Sequence, residues 1–146
     1  MKKVLSIYLL LLFGLSVQGQ IYNPVTWEFD QQQVSDNEIE LIFKANIESN
    51  WYIYSQELLE DGPVATEITF LTSSGFEKLG DVSELEANEE YDPNFDMLLK
   101  FFKDEAIFKQ RIKTTSDSDF SLKGEVYFMV CDPSQCLPPE AVEFEF

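Results

Sequence analysis

Three features of this sequence predict an all-β fold, an antiparallel β-sandwich of immunoglobulin-like type. Apolar and polar residues alternate with a period of two from Val25 onward, turn-forming clusters separate the alternating stretches, and no convincing helical period appears after the first twenty residues. The first stretch sets Val25, Trp27 and Phe29 on one face. After the polar turn Val34-Ser35-Asp36-Asn37, the residues Ile39, Leu41, Phe43, Ala45 and Ile47 do the same. The pattern returns over residues 51–55, 66–71, 107–112, 122–130 and 142–146, and turn residues such as Asp61-Gly62-Pro63, Ser73-Ser74-Gly75 and those at 116–119 lie between. Seven to nine short strands are expected. Two stretches break the pattern: residues 84–90 read as an acidic loop, and Tyr91-Asp92-Pro93-Asn94-Phe95 carries a turn signal with two aromatics. Loops of this length inside a compact domain are often lids over a site.

The chain opens with a secretion signal. Lys2 and Lys3 precede an apolar run from Val4 to Leu15, and Val17-Gln18-Gly19 offers the small or apolar residues a signal peptidase reads, so cleavage is expected before Gln20. The run is too short to anchor the chain comfortably across a bilayer, and no cysteine follows it to carry a lipid. Residues 1–19 are thus expected to leave, and residues 20–146 to form one exported domain without membrane insertion.

Charge and composition exclude several functions. Loss of the two signal lysines leaves 8 basic against 27 acidic residues, a net charge of −19. Nucleic acid is therefore excluded as a partner and an anionic membrane surface nearly so, and the acidity reads first as a device for solubility. The chain has no histidine. That removes His-based triads and most zinc patterns, and no cofactor or metal is expected.

The only two cysteines stand in Cys131-Asp132-Pro133-Ser134-Gln135-Cys136, followed by Leu137-Pro138-Pro139. In an exported protein such a pair can bridge to itself, either as a staple or as a reactive centre. As a staple it is weak, since closing six residues contributes roughly 2 kcal/mol against nearly 5 for a hundred-residue loop. Before the pair, Val126, Phe128 and Val130 take one face of a strand while Tyr127, Met129 and Cys131 take the other. The two prolines cannot donate to a central ladder and place the following segment at an edge.

The stretch from Val126 to Glu140, with both cysteines and the Pro-Pro pair, resembles the active-site hairpin of the N-terminal periplasmic domain of the thiol:disulfide interchange protein DsbD. Asn50-Trp51-Tyr52-Ile53-Tyr54-Ser55-Gln56 resembles that family's aromatic strand, the segment from Gly62-Pro63 to Phe70 the one after it, and Phe76 to Glu84 the next, all in the family's order. The resemblance implies a periplasmic, immunoglobulin-like domain that relays reducing equivalents by thiol–disulfide exchange to exported thioredoxin-fold proteins. It also implies that Cys136 bonds to partners and Cys131 resolves the mixed disulfide. Phe95 would shield the pair as a cap, with Phe101 and Phe102 as rivals, and Tyr52 and Tyr54 would line the site. Full-length family members continue into a transmembrane and a thioredoxin-like domain, so a chain ending at Phe146 is expected to draw electrons from a separate membrane-bound thiol reductase.

The residues themselves say something about reactivity. Only the thiolate attacks, and Asp132 within a strongly acidic domain disfavours it, with no Lys, Arg or His in the hairpin to compensate. Such a thiol reacts slowly until a partner docks, which suits a selective relay in an oxidising compartment. The rival reading is a secreted immunoglobulin-like binding or adhesion module with an inert structural disulfide, because sandwiches host many functions.

Overall fold

The computed structural model describes residues 22–58, 61–71, 75–115 and 121–146. The signal segment at 1–19 and the turns expected at 73–74 and 116–119 lie outside them. The described residues contain no helix and eleven strands: β1 (Val25–Ser35), β2 (Glu38–Ile47), β3 (Tyr52–Tyr54), β4 (Glu67–Phe70), β5 (Phe76–Glu84), β6 (Asn88–Asp92), β7 (Met97–Lys103), β8 (Glu105–Thr114), β9 (Lys123–Phe128), β10 (Val130–Cys131) and β11 (Glu140–Glu145). They pair antiparallel in three sheets, ordered β1-β2-β8-β5, β10-β3-β7-β6 and β11-β9-β4.

The alternation of β2 explains the first sheet. Leu41, Phe43 and Ala45 are fully buried, and the residues between them are half-exposed. That row meets Phe108 and Ile112 of β8, Ile53, Phe102 and Val130 of the second sheet, and Val126, Phe128 and Phe144 of the third in one apolar cluster. This is the immunoglobulin-like sandwich expected from the period-two pattern. Ring contacts knit it together, among them Phe43 against Phe144 at 4.9 Å and Trp27 against Phe128 at 5.4 Å. Gly124 sits where Phe144 crosses β9, and a Cβ there would lie 2.2 Å from the Thr69 carbonyl and 2.3 Å from the Phe144 ring. Only glycine fits.

The second sheet differs in being covered on both faces along β3 and the end of β7 that pairs with it. Along β3, Ile53 points into the common core while Tyr52 and Tyr54 point away from it, and along β7 Phe102 and Phe101 divide in the same way. On the outer face Tyr52, Tyr54, Leu99, Phe101 and Cys131 form a second buried cluster. This explains why residues 97–103, Met-Leu-Leu-Lys-Phe-Phe-Lys, show no alternation and yet form a strand: Phe101 and Phe102 are buried on opposite faces, while Leu98 is apolar but exposed.

Three expectations need correction. Residues 84–90 are not one loop: Glu84 closes β5, Asn88 opens β6, and only 85–87 connect them. β6 is an edge strand held through backbone pairing to β7, with four of its five side chains exposed, so no apolar face announces it. The stretch 122–130 is not one strand, because the chain leaves the third sheet after Phe128 and enters the second at Val130. Strands number eleven among the described residues rather than seven to nine, the additions to the seven alternating stretches being that break and β5, β6 and β7.

Candidate functional site

The cysteine pair sits at the end of the strand that changes sheets. Cys131 ends β10, pairs with Tyr52 of β3, and is completely buried, whereas Cys136 is half-exposed. The two are bonded, with an S–S distance of 2.04 Å and Cα atoms 4.0 Å apart. Between them the chain makes a tight turn: the Asp132 amide donates to the Gln135 carbonyl at 2.9 Å and the Leu137 amide to the Val130 carbonyl at 3.0 Å.

Asp132 shapes that turn. Its Oδ1 accepts from the Ser134 amide at 2.7 Å, the Ser134 hydroxyl at 2.7 Å and the Gln135 amide at 2.9 Å. These bonds, the Ser134 hydroxyl first, hold its carboxyl below the usual range. A fixed negative charge therefore stands one residue from Cys131.

Above the outer face lies the turn between β6 and β7, residues 93–96. The Asp96 amide donates to the Asp92 carbonyl at 2.9 Å, and Asp96 adopts φ 56°, a left-handed conformation that Asp tolerates. Phe95 projects from this turn onto the second cluster, where its ring meets Tyr54 edge-on at 6.0 Å. Its two rivals do not belong to this turn. Phe101 belongs to β7 and stacks beside Tyr52 at 4.7 Å, and Phe102 faces the main core. Tyr52 and Tyr54 stand at right angles, 5.7 Å apart, and Met129 and Cys136 pack at the margin of the same cluster.

Two residues of the turn join the site that sequence reasoning did not assign to it. Asp92 is 1% exposed, and its Oδ2 accepts from the Tyr54 hydroxyl at 2.6 Å. Its Oδ1 accepts from the Asn94 amide at 2.8 Å. The Asn94 side-chain Nδ2 donates to the Asp132 carbonyl at 2.8 Å and to the Tyr52 hydroxyl at 3.1 Å, and Tyr52 donates to that same carbonyl at 3.2 Å. The signal for this was the Asp-Pro-Asn run, which reads as turn chemistry and gives no hint that its side chains reach across to the cysteine hairpin. Burial, followed by the Asp92 charge, pushes the Tyr52 hydroxyl up to about 12. Deeper burial and the hydrogen bond to Asp92 push Tyr54 still higher. Both stay protonated at neutral pH and act as donors.

An open groove of about 430 Å³, lined by Tyr52, Tyr91, Pro93, Phe101, Lys103 and Pro133 among others, reaches the hairpin at Pro133 but includes neither cysteine. It joins the turn above the site to the tip of the hairpin. A larger one of about 790 Å³ lies between β4 and β5 and includes neither cysteine. Among the described residues no group of three or more His, Cys, Asp or Glu side chains is arranged to hold a metal. What the site offers is a disulfide between a sealed and a half-exposed cysteine, next to a turn that is hydrogen-bonded to the hairpin through Asn94 and packs Phe95 on the same aromatic cluster.

Comparison with known proteins places this arrangement. The family model described as thiol:disulfide interchange protein DsbD, N-terminal, matches residues 23–146. Among solved structures, the reduced DsbD N-terminal domain of Neisseria meningitidis is 17% identical with a TM-score of 0.53, over 81% of this chain and 82% of that one. The same organism's complex between the DsbD and PilB N-terminal domains matches at 16% identity and TM-score 0.54, over 86% and 87%. The N-terminal periplasmic domain of ScsB from Proteus mirabilis matches at 17% identity and TM-score 0.64, over 85% of this chain and 46% of that one. No curated protein matches. At such identities the structural likenesses speak for the fold.

Proposed function

Because the chain belongs to the family of DsbD N-terminal domains, we propose that it is an exported thiol–disulfide exchange domain that passes reducing equivalents through Cys131 and Cys136 to thioredoxin-fold partners in the periplasm. The observation that carries this reading is the asymmetry of the pair, with Cys131 sealed in the outer cluster and Cys136 half-exposed at its margin. A sulfur that must meet a partner needs access. A sulfur that only resolves the intermediate needs none.

The exchange proceeds in two displacements. The Cys136 thiolate attacks one sulfur of the partner's disulfide, forming an intermolecular bond and releasing the partner's other sulfur as a thiolate. Cys131, losing its proton to solvent, then attacks Cys136, restores the intramolecular disulfide and releases the partner's second sulfur. Two electrons pass to the partner, and two protons follow from solvent. Recharging runs the same steps backwards from a donor dithiol, which we assign to a separate membrane-bound thiol reductase. The known complex of a DsbD N-terminal domain with a PilB N-terminal domain supports partner docking in this family. Phe95, with Tyr52 and Tyr54 beneath it, keeps small oxidants from the pair until a partner displaces the turn. The reading includes removal of residues 1–19 by signal peptidase before Gln20.

Trapping in periplasmic extract tests it. Cys131→Ser should accumulate disulfide adducts on non-reducing gels, because nothing remains to attack the intermolecular bond, whereas Cys136→Ser should trap far less. Equal trapping by both variants would refute the assigned roles.

A further inference from the structure

The polar contacts of the turn above the pair go beyond covering it, and the inference drawn from them rests on the exchange reading above. Asn94 belongs to the β6–β7 turn and is itself exposed, yet its side-chain amide binds the carbonyl of Asp132, the residue after Cys131, and the hydroxyl of Tyr52, whose backbone pairs with Cys131. The Asp132 carbonyl thus receives two donors, from Asn94 at 2.8 Å and from Tyr52 at 3.2 Å. At its other end Asn94 is anchored, since its backbone amide binds Asp92, which is buried and held in turn by Tyr54. Two elements distant in sequence, β3 and the β6–β7 turn, therefore converge on the carbonyl of the residue after Cys131. The carboxylate of Asp132 takes its bonds from Ser134 and Gln135 within the turn, on the side of Cys136.

We propose that Asn94 is a positioning residue that selects the reacting sulfur: by pinning the carbonyl after Cys131 it keeps that sulfur in the buried cluster when the disulfide opens, and leaves Cys136 as the one offered to partners. Reduction removes the covalent tie that holds the hairpin closed. The bonds from Asn94 and Tyr52 then add to the β10–β3 pairing and the burial of Cys131 in holding that side in place, while the Cys136 side has the turn's own hydrogen bonds and its packing at the margin of the cluster.

The test measures the reactivity of each sulfur separately in the reduced full domain. Limited labelling with the small neutral reagent iodoacetamide, read by fragment-ion mass spectrometry, distinguishes Cys131 from Cys136. The wild type should label mainly at Cys136. Asn94→Leu, close to Asn in shape and lacking its donors, should raise the ratio of Cys131 to Cys136 labelling roughly tenfold, the effect of losing one or two hydrogen bonds. Asn94→Asp, which keeps the shape and reverses the donor, should shift the ratio in the same direction. An unchanged ratio in Asn94→Leu, with Cys136 still favoured, would overturn the role of Asn94 alone. So would equal acceleration at both sulfurs, because Asn94 would then merely fasten a lid, and so would a shift confined to Asn94→Asp, which would come from charge. A wild type that labels both sulfurs equally would overturn the exchange roles of the pair as well.

Discussion

Removing the Tyr54 hydroxyl should be expensive for its size. The bond from Tyr54 to Asp92 Oδ2 is 2.6 Å long, Tyr54 is completely buried, and Asp92 is 1% exposed. In Tyr54→Phe the carboxylate keeps the Asn94 amide on Oδ1 but loses its donor on Oδ2, at a depth where water does not replace it. Hydrogen bonds to charged groups are worth about 1.5–3 kcal/mol, so a loss of about 2 kcal/mol is expected, or about 8 °C in Tm for a domain of this size. Tyr52→Phe provides the comparison. It deletes a longer bond, of 3.2 Å, to a carbonyl that Asn94 still serves, so about 0.5–1 kcal/mol is expected. Urea unfolding of the oxidised domain, followed by tryptophan fluorescence, would measure both, with the slope against denaturant unchanged. A cost below about 0.5 kcal/mol for Tyr54→Phe, or one no larger than that of Tyr52→Phe, would refute the claim that this buried pair fastens the turn.

The same two tyrosines predict an alkaline limit. Their hydroxyls titrate above the ordinary value near 10, so the fold favours the neutral form; the stability they contribute is intact below about pH 10 and is lost as pH rises towards the raised values, about 12 for Tyr52. Urea unfolding across that window should show the fall, and it should be shallower in Tyr54→Phe; identical curves would contradict the assignment. The disulfide is a minor contributor to stability. It closes only six residues, so Cys131→Ser with Cys136→Ser should stay folded by circular dichroism and lose about 2 kcal/mol. Global unfolding would mark the bond as structural.

How far the sequence could be read differs between fold and site. The rows Val25-Trp27-Phe29 and Leu41-Phe43-Ala45 were legible because each strand has one dry and one wet face. β7 was not, since Leu99 and Phe101 fill one cluster while Phe102 fills another and the alternation cancels. β6 was hidden for the opposite reason, its side chains being mostly in water on both faces. In the site, the cysteines, Phe95 and the two tyrosines were named from their resemblance to a known hairpin and strand. Asp92 and Asn94 were missed because their partners, Tyr54 and Asp132, are each 38 residues away in the chain. Local turn propensity carries no information about contacts at that range.

The central claim is that the Cys131–Cys136 bond is a working exchange couple, and its midpoint potential tests this most directly. Structural disulfides in secreted proteins lie below about −300 mV, whereas exchange proteins lie between about −120 and −270 mV. Equilibrating the isolated domain with dithiol–disulfide buffers and counting free thiols should place the couple in the upper range. A midpoint below about −300 mV would leave the bond inert in its compartment and contradict the account.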